Sequence, residues 1–178
     1  MVKVFHKIME GIIYRENFIS HHRSLFESLK NNTIWNESMR ARKTASFGRP
    51  YNYSQIVYPL QEFTENILEI INAIEELLGF RANNCLINYY ENGNSTMGFH
   101  SDQTDILEPD TGIVIVSIGV TRTLRFRTID DKSITRDFNL SSGSLIYMNN
   151  EVQHIWQHAV IRSETKNGRM SLTFRKLK

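Results

Sequence analysis

From Ala82 to the end of the chain the hydrophobic pattern has the period of strands, and nothing in it reads as a helix. Short β-type runs at Cys85 to Tyr90, Gly112 to Gly119, Leu124 to Ile129, Ser144 to Met148, Ile155 to Val160 and Arg169 to Lys176 are separated by Gly, Asn, Asp and Ser. Parallel strands need a crossover of a dozen or more residues, usually helical, so strands joined this closely must pair antiparallel. The expected core is therefore a sandwich or jelly roll, in a mainly β fold of the α+β class with flanking helices.

The helices lie upstream. From Leu60 to Leu78 the residues Phe63, Ile67, Ile70, Ile71, Ile74, Leu77 and Leu78 recur every three or four positions with glutamates between them. That spacing predicts an amphipathic helix with Pro59 at its first turn and Gly79 as its left-handed cap. A second helix is expected over Ser20 to Lys30, where Leu25, Phe26 and Leu29 share a face, and Trp35 to Tyr58 reads as short strands and loops. No repeat, low-complexity tract or linker divides the chain. The expectation is one domain over 1–178, with N-terminal helix and lid in 1–58, a supporting helix in 59–80 and the β core in 84–178.

Composition excludes several classes. With 178 residues, 40% hydrophobic and 22% charged, the chain can bury a full core. A net charge of +2 permits a polyanionic partner without demanding one. The lone Cys85 can form neither an intrachain disulfide nor a cysteine-based zinc site, and its simplest role is a buried apolar residue in a strand. No signal peptide is visible, and the longest apolar run, Ile113 to Val120, is too short to span a bilayer. A soluble, intracellular monomer is expected.

The chemistry-bearing residues concentrate in the β half. His100 and Asp102 are two positions apart, which on an extended segment points both side chains the same way. With one more imidazole they would complete two histidines and a carboxylate, the facial set that leaves positions open on non-haem Fe(II), and His154 and His158 both qualify. In the last run, Arg169, Ser171, Thr173 and Arg175 alternate with Met170, Leu172 and Phe174. As an edge strand that polar face would simply meet water. Inside a jelly roll it would be a cationic wall, where an arginine fork binds a carboxylate through two donors as lysine cannot.

Taken together these residues carry a resemblance. Arg42-Lys43-Thr44-Ala45-Ser46-Phe47-Gly48 with Tyr51-Asn52-Tyr53, Leu86-Ile87-Asn88-Tyr89-Tyr90, and Gly98-Phe99-His100-Ser101-Asp102 are similar, in order, to motifs of the AlkB family of Fe(II)- and 2-oxoglutarate-dependent dioxygenases. So are Ser117-Ile118-Gly119 with Thr121-Arg122, Gly143-Ser144-Leu145, Gln153-His154-Ile155-Trp156-Gln157-His158, and the Arg-x-Ser-x-Thr-x-Arg of the last strand. The resemblance implies a double-stranded β-helix, or jelly-roll, core with a substrate lid, and Fe(II) on His100, Asp102 and His158. It favours His158 over His154 because the last ligand in the family precedes a small and then an aliphatic residue, as in His158-Ala159-Val160. It further implies 2-oxoglutarate held by Asn88, Tyr90, Arg169, Ser171 and Arg175, with Arg169 on the distal carboxylate and Arg175 nearer the metal. The implied reaction consumes molecular oxygen, converts 2-oxoglutarate to succinate and carbon dioxide, and hydroxylates a carbon; on an N-methyl group the product collapses to formaldehyde.

The segment Trp35 to Tyr58 interleaves Arg40, Arg42, Lys43 and Arg49 with aromatic residues, and the tail from Arg162 carries six cations against Glu164 alone. Such composition suits phosphate contact and base stacking, and the expected substrate contacts are Trp35, Arg42, Lys43, Tyr51 and Tyr53. The leading expectation is oxidative demethylation of N-alkylated bases in DNA or RNA, met single-stranded or flipped out of the stack. Two features depart from the family pattern: Thr104 stands where nucleic-acid repair members commonly carry an acidic residue, and Ser171 where many have Asn. The first leaves open an alternative, a hydroxylase or demethylase of a protein side chain or small molecule. A binding module without catalysis would normally have lost one of His100, Asp102, His158, Arg169 or Arg175, and all five are present.

Overall fold

The computed structural model describes residues 6–51 and 56–178. Among these described residues are the strands β1 His6–Met9, β2 Ile12–Arg15, β3 Lys43–Gly48, β4 Asn84–Tyr90, β5 Met97–His100, β6 Gly112–Gly119, β7 Arg122–Thr128, β8 Thr135–Leu140, β9 Ser144–Asn149, β10 Trp156–Val160 and β11 Arg169–Arg175. Three helices accompany them, α1 His22–Asn32, α2 Glu65–Leu78 and α3 Asn150–Ile155. A seven-stranded sheet in the order β1-β2-β9-β6-β11-β4-β3 faces a four-stranded sheet in the order β5-β10-β7-β8. Every pairing is antiparallel, as the short connections require. This is a mainly β jelly roll.

Strand alternation sorts the residues of the large sheet into two cores. Ala45, Phe47, Cys85, Ile87, Val116, Met170, Leu172 and Phe174 point outward and meet Leu25 and Leu29 of α1 and Ile67, Ile70, Ile71 and Ile74 of α2. Cys85 is fully buried there, and burial pushes its thiol far up. The opposite face packs between the sheets, where Leu86, Ile115, Ile146 and Met148 meet Leu124, Phe126 and Phe138. Helix α2 packs four buried isoleucines into the core behind the site strands. Burying each of its isoleucines contributes roughly 1.5–3 kcal/mol, and Ile70→Ala would cost about 2–5 kcal/mol through the cavity it leaves.

Some elements differ from the sequence expectation. Helix α2 begins at Glu65, because Thr64, in extended conformation, accepts the amide hydrogen of Ile67 on its side chain and so caps the helix; Pro59 lies outside it. Its other end is as expected, with Gly79 at φ 79°. The β1–β2 hairpin, turned at Gly11 with φ 78°, extends the large sheet next to β9 and was not legible, since four-residue runs carry little periodicity. Strands β5 and β8 and the short helix α3 likewise fall outside the runs read from sequence. Among the described residues no helix is long and apolar enough to cross a membrane.

Candidate active site

The register of three strands assembles one polar floor. Asn88 of β4 lies opposite Ser171 of β11, which lies opposite Ser117 of β6; one step along, Tyr90 pairs with Arg169. Since side chains alternate, these groups and Arg175 all face the space between the sheets. In the small sheet, β10 pairs with β5 so that His158 stands opposite His100. The two walls flank a cleft lined by Asn88, Tyr90, Met97, His100, Asp102, Leu124, His158, Arg169, Ser171 and Arg175, among others.

At one end of the cleft His100, Asp102 and His158 each offer a ligand atom, all within 4.8 Å of one another. Asp102 Oδ1 is 4.0 Å from His100 Nε2, and Oδ2 is 3.5 Å from His158 Nε2. The His100 ring is oriented by Nδ1 at 2.9 Å from the Gly98 carbonyl, which makes Nδ1 the donor and leaves the lone pair on Nε2. Burial holds His158 down to about 4, so its imidazole is neutral at neutral pH, as a metal ligand must be. Burial alone would raise the Asp102 carboxyl, but Arg175, His158 and His100 around it leave it below the ordinary carboxylate range. His154, at the end of α3, is exposed and outside this cluster.

At the other end, Arg169 is buried with its Nε donating to Ser117 Oγ at 2.8 Å. Among the described residues its Nη1 and Nη2 have no hydrogen-bond partner. A buried guanidinium leaves two parallel donors unused only at a steep desolvation cost, so the fork is shaped to receive a carboxylate. Burial pushes Arg169 down to about 10, still protonated at neutral pH. Its guanidinium carbon lies 5.4 Å from the centre of the Tyr90 ring. The neutral imidazole of His158, the His100 ring oriented by Gly98, the ionised carboxylate and the arginine fork together fit Fe(II) at one end of the cleft and a dicarboxylate extending toward the other.

The residues expected to contact substrate separate. Arg42 reaches the cleft, its Nε donating to Asn88 Oδ1 at 2.8 Å. Lys43 lies opposite Tyr89 in register and therefore points to the other face of the sheet, where Glu37 at 3.1 Å and Glu91 at 3.3 Å neutralise it. Trp35 packs on that same face, its ring 5.4 Å from that of Tyr89, and does not join the cleft. Tyr51 is buried under the Arg175 guanidinium, 4.8 Å from ring centre to carbon. Tyr53 lies outside the described residues. Two contributors had only their motifs to announce them: Ser117, which holds Arg169, and Gln153, whose Oε1 accepts the backbone amide of Asp102 at 2.8 Å.

A jelly roll with two imidazoles and a carboxylate at its mouth and an arginine fork on its floor has the make-up of an iron and keto-acid oxygenase. The description of the 2OG-Fe(II) oxygenase superfamily matches residues 10–175. The chain is 30% identical over 172 residues to the alpha-ketoglutarate-dependent dioxygenase alkB homolog 3 of Bos taurus, covering 85% of this chain and 60% of that protein. It is 31% identical over 147 residues to the DNA oxidative demethylase ALKBH2 of Homo sapiens, covering 76% and 56%. The chain thus spans little more than half the length of these relatives. The solved structure of OsALKBH1 superposes with a TM-score of 0.70 over 93% of this chain and 98% of that one, at 17% identity, a likeness of fold. The chain belongs to the 2OG-Fe(II) oxygenase superfamily, and within it to the AlkB family of dioxygenases. Fe(II) and 2-oxoglutarate are the cofactors of that family.

Proposed function

We propose that the protein is an Fe(II)- and 2-oxoglutarate-dependent oxidative demethylase of N-alkylated bases in DNA or RNA, releasing formaldehyde and succinate. The observation that carries the reaction class is the pairing of an open His100–Asp102–His158 set with the partnerless fork of Arg169 in one cleft. The printed name of the ALKBH2 relative, a DNA oxidative demethylase, supports the choice of a nucleic-acid substrate.

In this reading His100, Asp102 and His158 hold the iron, and Arg169 with Tyr90 takes the distal carboxylate of 2-oxoglutarate. When bound, iron and 2-oxoglutarate would let molecular oxygen do the oxidation, one oxygen atom passing into succinate as carbon dioxide leaves and the other converting an N-methyl group into an N-hydroxymethyl group, which then loses formaldehyde. The chain's own part is orientation and dryness. Arg175 and Gln153 fix Asp102 from opposite sides, the Gly98 carbonyl fixes the tautomer of His100, and Leu124, Met97 and Val160 exclude water. Asn88 and Ser171 present hydrogen-bonding groups along the floor, and Arg42 at its edge is the cation best placed to meet a substrate.

Thr104, in place of an acidic residue, supports the alternative of a protein side chain or small molecule as substrate. One experiment separates the two readings. The protein is loaded anaerobically with Fe(II) and 2-oxoglutarate, then given oxygen with methylated oligonucleotides, single- or double-stranded, while formaldehyde and oligonucleotide mass are followed. Release of formaldehyde from methylated adenine or cytosine is expected. Succinate formation that no methylated DNA or RNA raises above its uncoupled rate, but that a peptide or small molecule does, overturns the nucleic-acid reading.

A further inference from the structure

Arg122, at the start of β7, is 2% exposed, yet among the described residues its guanidinium bonds to no carboxylate. It is caged by carbonyl oxygens instead. Nη1 donates to Asn92 at 2.9 Å, and Nη2 to Gly93 at 3.4 Å, Ser95 at 3.0 Å and Ile161 at 2.7 Å. A guanidinium withdrawn from water without a counter-ion is costly, and an apolar side chain could fill the same space. The bonds it makes indicate what the charge is for.

Residues 92–95 connect β4, which carries Asn88 and Tyr90, to β5, which carries His100; Ile161 directly follows β10, which carries His158. A single planar group with a fixed fork of donors thus ties together the ends of three strands that supply the site. The same two loops are sewn by backbone bonds, Gly93 N to the Thr165 carbonyl at 2.8 Å and Ser163 N to the Gly93 carbonyl at 3.1 Å. They are pressed so close that a Cβ on Gly93 would lie 1.9 Å from the Ser163 carbonyl oxygen. The second loop leads straight into Arg169, which pairs in register with Tyr90. The knot therefore lies at the Tyr90–Arg169 end of the cleft, the end away from the metal ligands.

We propose that Arg122 is a positioning residue for the cosubstrate: by clamping residues 92–95 to Ile161 it fixes the closed end of the cleft, so that Arg169 and Tyr90 stand at the spacing a distal carboxylate requires. Arg122 acts on 2-oxoglutarate through geometry, by way of the loops it holds. The inference rests on the assignment of Arg169 to the distal carboxylate and not on the identity of the methylated substrate.

The test is a binding titration of the Mn(II)-loaded, full-length chain without oxygen, comparing 2-oxoglutarate with 2-oxopentanoate, which keeps the keto-acid end and lacks the distal carboxylate. Arg122→Met is expected to weaken 2-oxoglutarate about tenfold while hardly changing 2-oxopentanoate, with Mn(II) affinity retained. Arg122→Lys, which keeps the charge but not the fork, should fall between the two and serves alone if the Met variant does not fold. A variant in which both keto acids weaken alike, or neither does, overturns the proposal, because a merely structural residue would not act on the distal carboxylate selectively. An Arg169→Lys variant with unaltered preference for 2-oxoglutarate overturns the underlying assignment instead.

Discussion

Arg175 places its Nη2 3.1 Å from Asp102 Oδ1, with both side chains almost entirely out of water. The other carboxylate oxygen turns to His158 at 3.5 Å. A buried carboxylate standing alone would tend to take up a proton; Arg175 is the main reason this one stays ionised. Arg175 in turn lies over the ring of Tyr51, 4.8 Å from its centre. The arginine nearest the metal ligands thus sets the charge of one of them through Nη2, while among the described residues its Nε and Nη1, like Nη1 and Nη2 of Arg169, have no hydrogen-bond partner.

His100→Ala, Asp102→Ala and His158→Ala should each abolish 2-oxoglutarate turnover and iron retention, whereas His154→Ala should retain substantial activity because that imidazole is exposed outside the cluster. Metal content and succinate formation measure both. Loss of iron in His154→Ala with retention in His158→Ala would reverse the ligand assignment.

Arg169→Lys should raise the 2-oxoglutarate concentration needed for half-maximal turnover by about tenfold or more, although charge is preserved, since one ammonium replaces two parallel donors. An unchanged cosubstrate titration removes Arg169 from the distal carboxylate.

Gln153→Met keeps the volume of the side chain but leaves the backbone amide of Asp102 without its acceptor. For a part-buried bond the cost is about 1 kcal/mol, expected here as weaker iron binding with an unaltered preference for 2-oxoglutarate. Equal iron affinity in variant and parent would show that Asp102 is held by Arg175 alone.

Stability of the metal-free protein should fall as the pH drops from about 6.5 toward 4. Burial lowers His158 from 6.5 to about 4, so in that window the unfolded chain binds a proton that the folded chain refuses. The lowered carboxyl of Asp102 adds a further loss in the same direction below about pH 4. Chemical denaturation across this range should show the first loss flattened in His158→Gln; an equally steep fall in that variant assigns it to other groups.

Binding of oligonucleotides should weaken steeply with added salt through counterion release, and Arg42→Ala should lose more affinity than Lys43→Ala while showing the shallower salt dependence. Lys43 is already neutralised by Glu37 and Glu91, while Arg42 lies at the cleft. Equal losses in the two variants, measured by fluorescence anisotropy, would mean that the glutamates release Lys43 on binding.

What is local in this fold can be read from the residues alone. Alternation in Arg169-Met170-Ser171-Leu172-Thr173-Phe174-Arg175 announces a strand with one polar face, because successive side chains point to opposite sides whatever the strand pairs with. The isoleucines of α2 and the cap at Gly79 are legible for the same reason, as both follow from backbone geometry within a few residues. Tertiary structure decided everything that depends on register and facing. The pairing of β10 with β5 sets His158 opposite His100 and leaves His154 outside, and the pairing of β3 with β4 turns Lys43 to the face of Tyr89. Composition placed Trp35 and Lys43 in a cationic, aromatic lid, but a one-residue difference in parity moves a side chain from one face of a sheet to the other. The environment of Arg122 was equally invisible, since its four carbonyl partners come from loops about thirty and forty residues away. Periodicity says which residues share a face; only the folded chain, through contacts distant in sequence, says what that face meets.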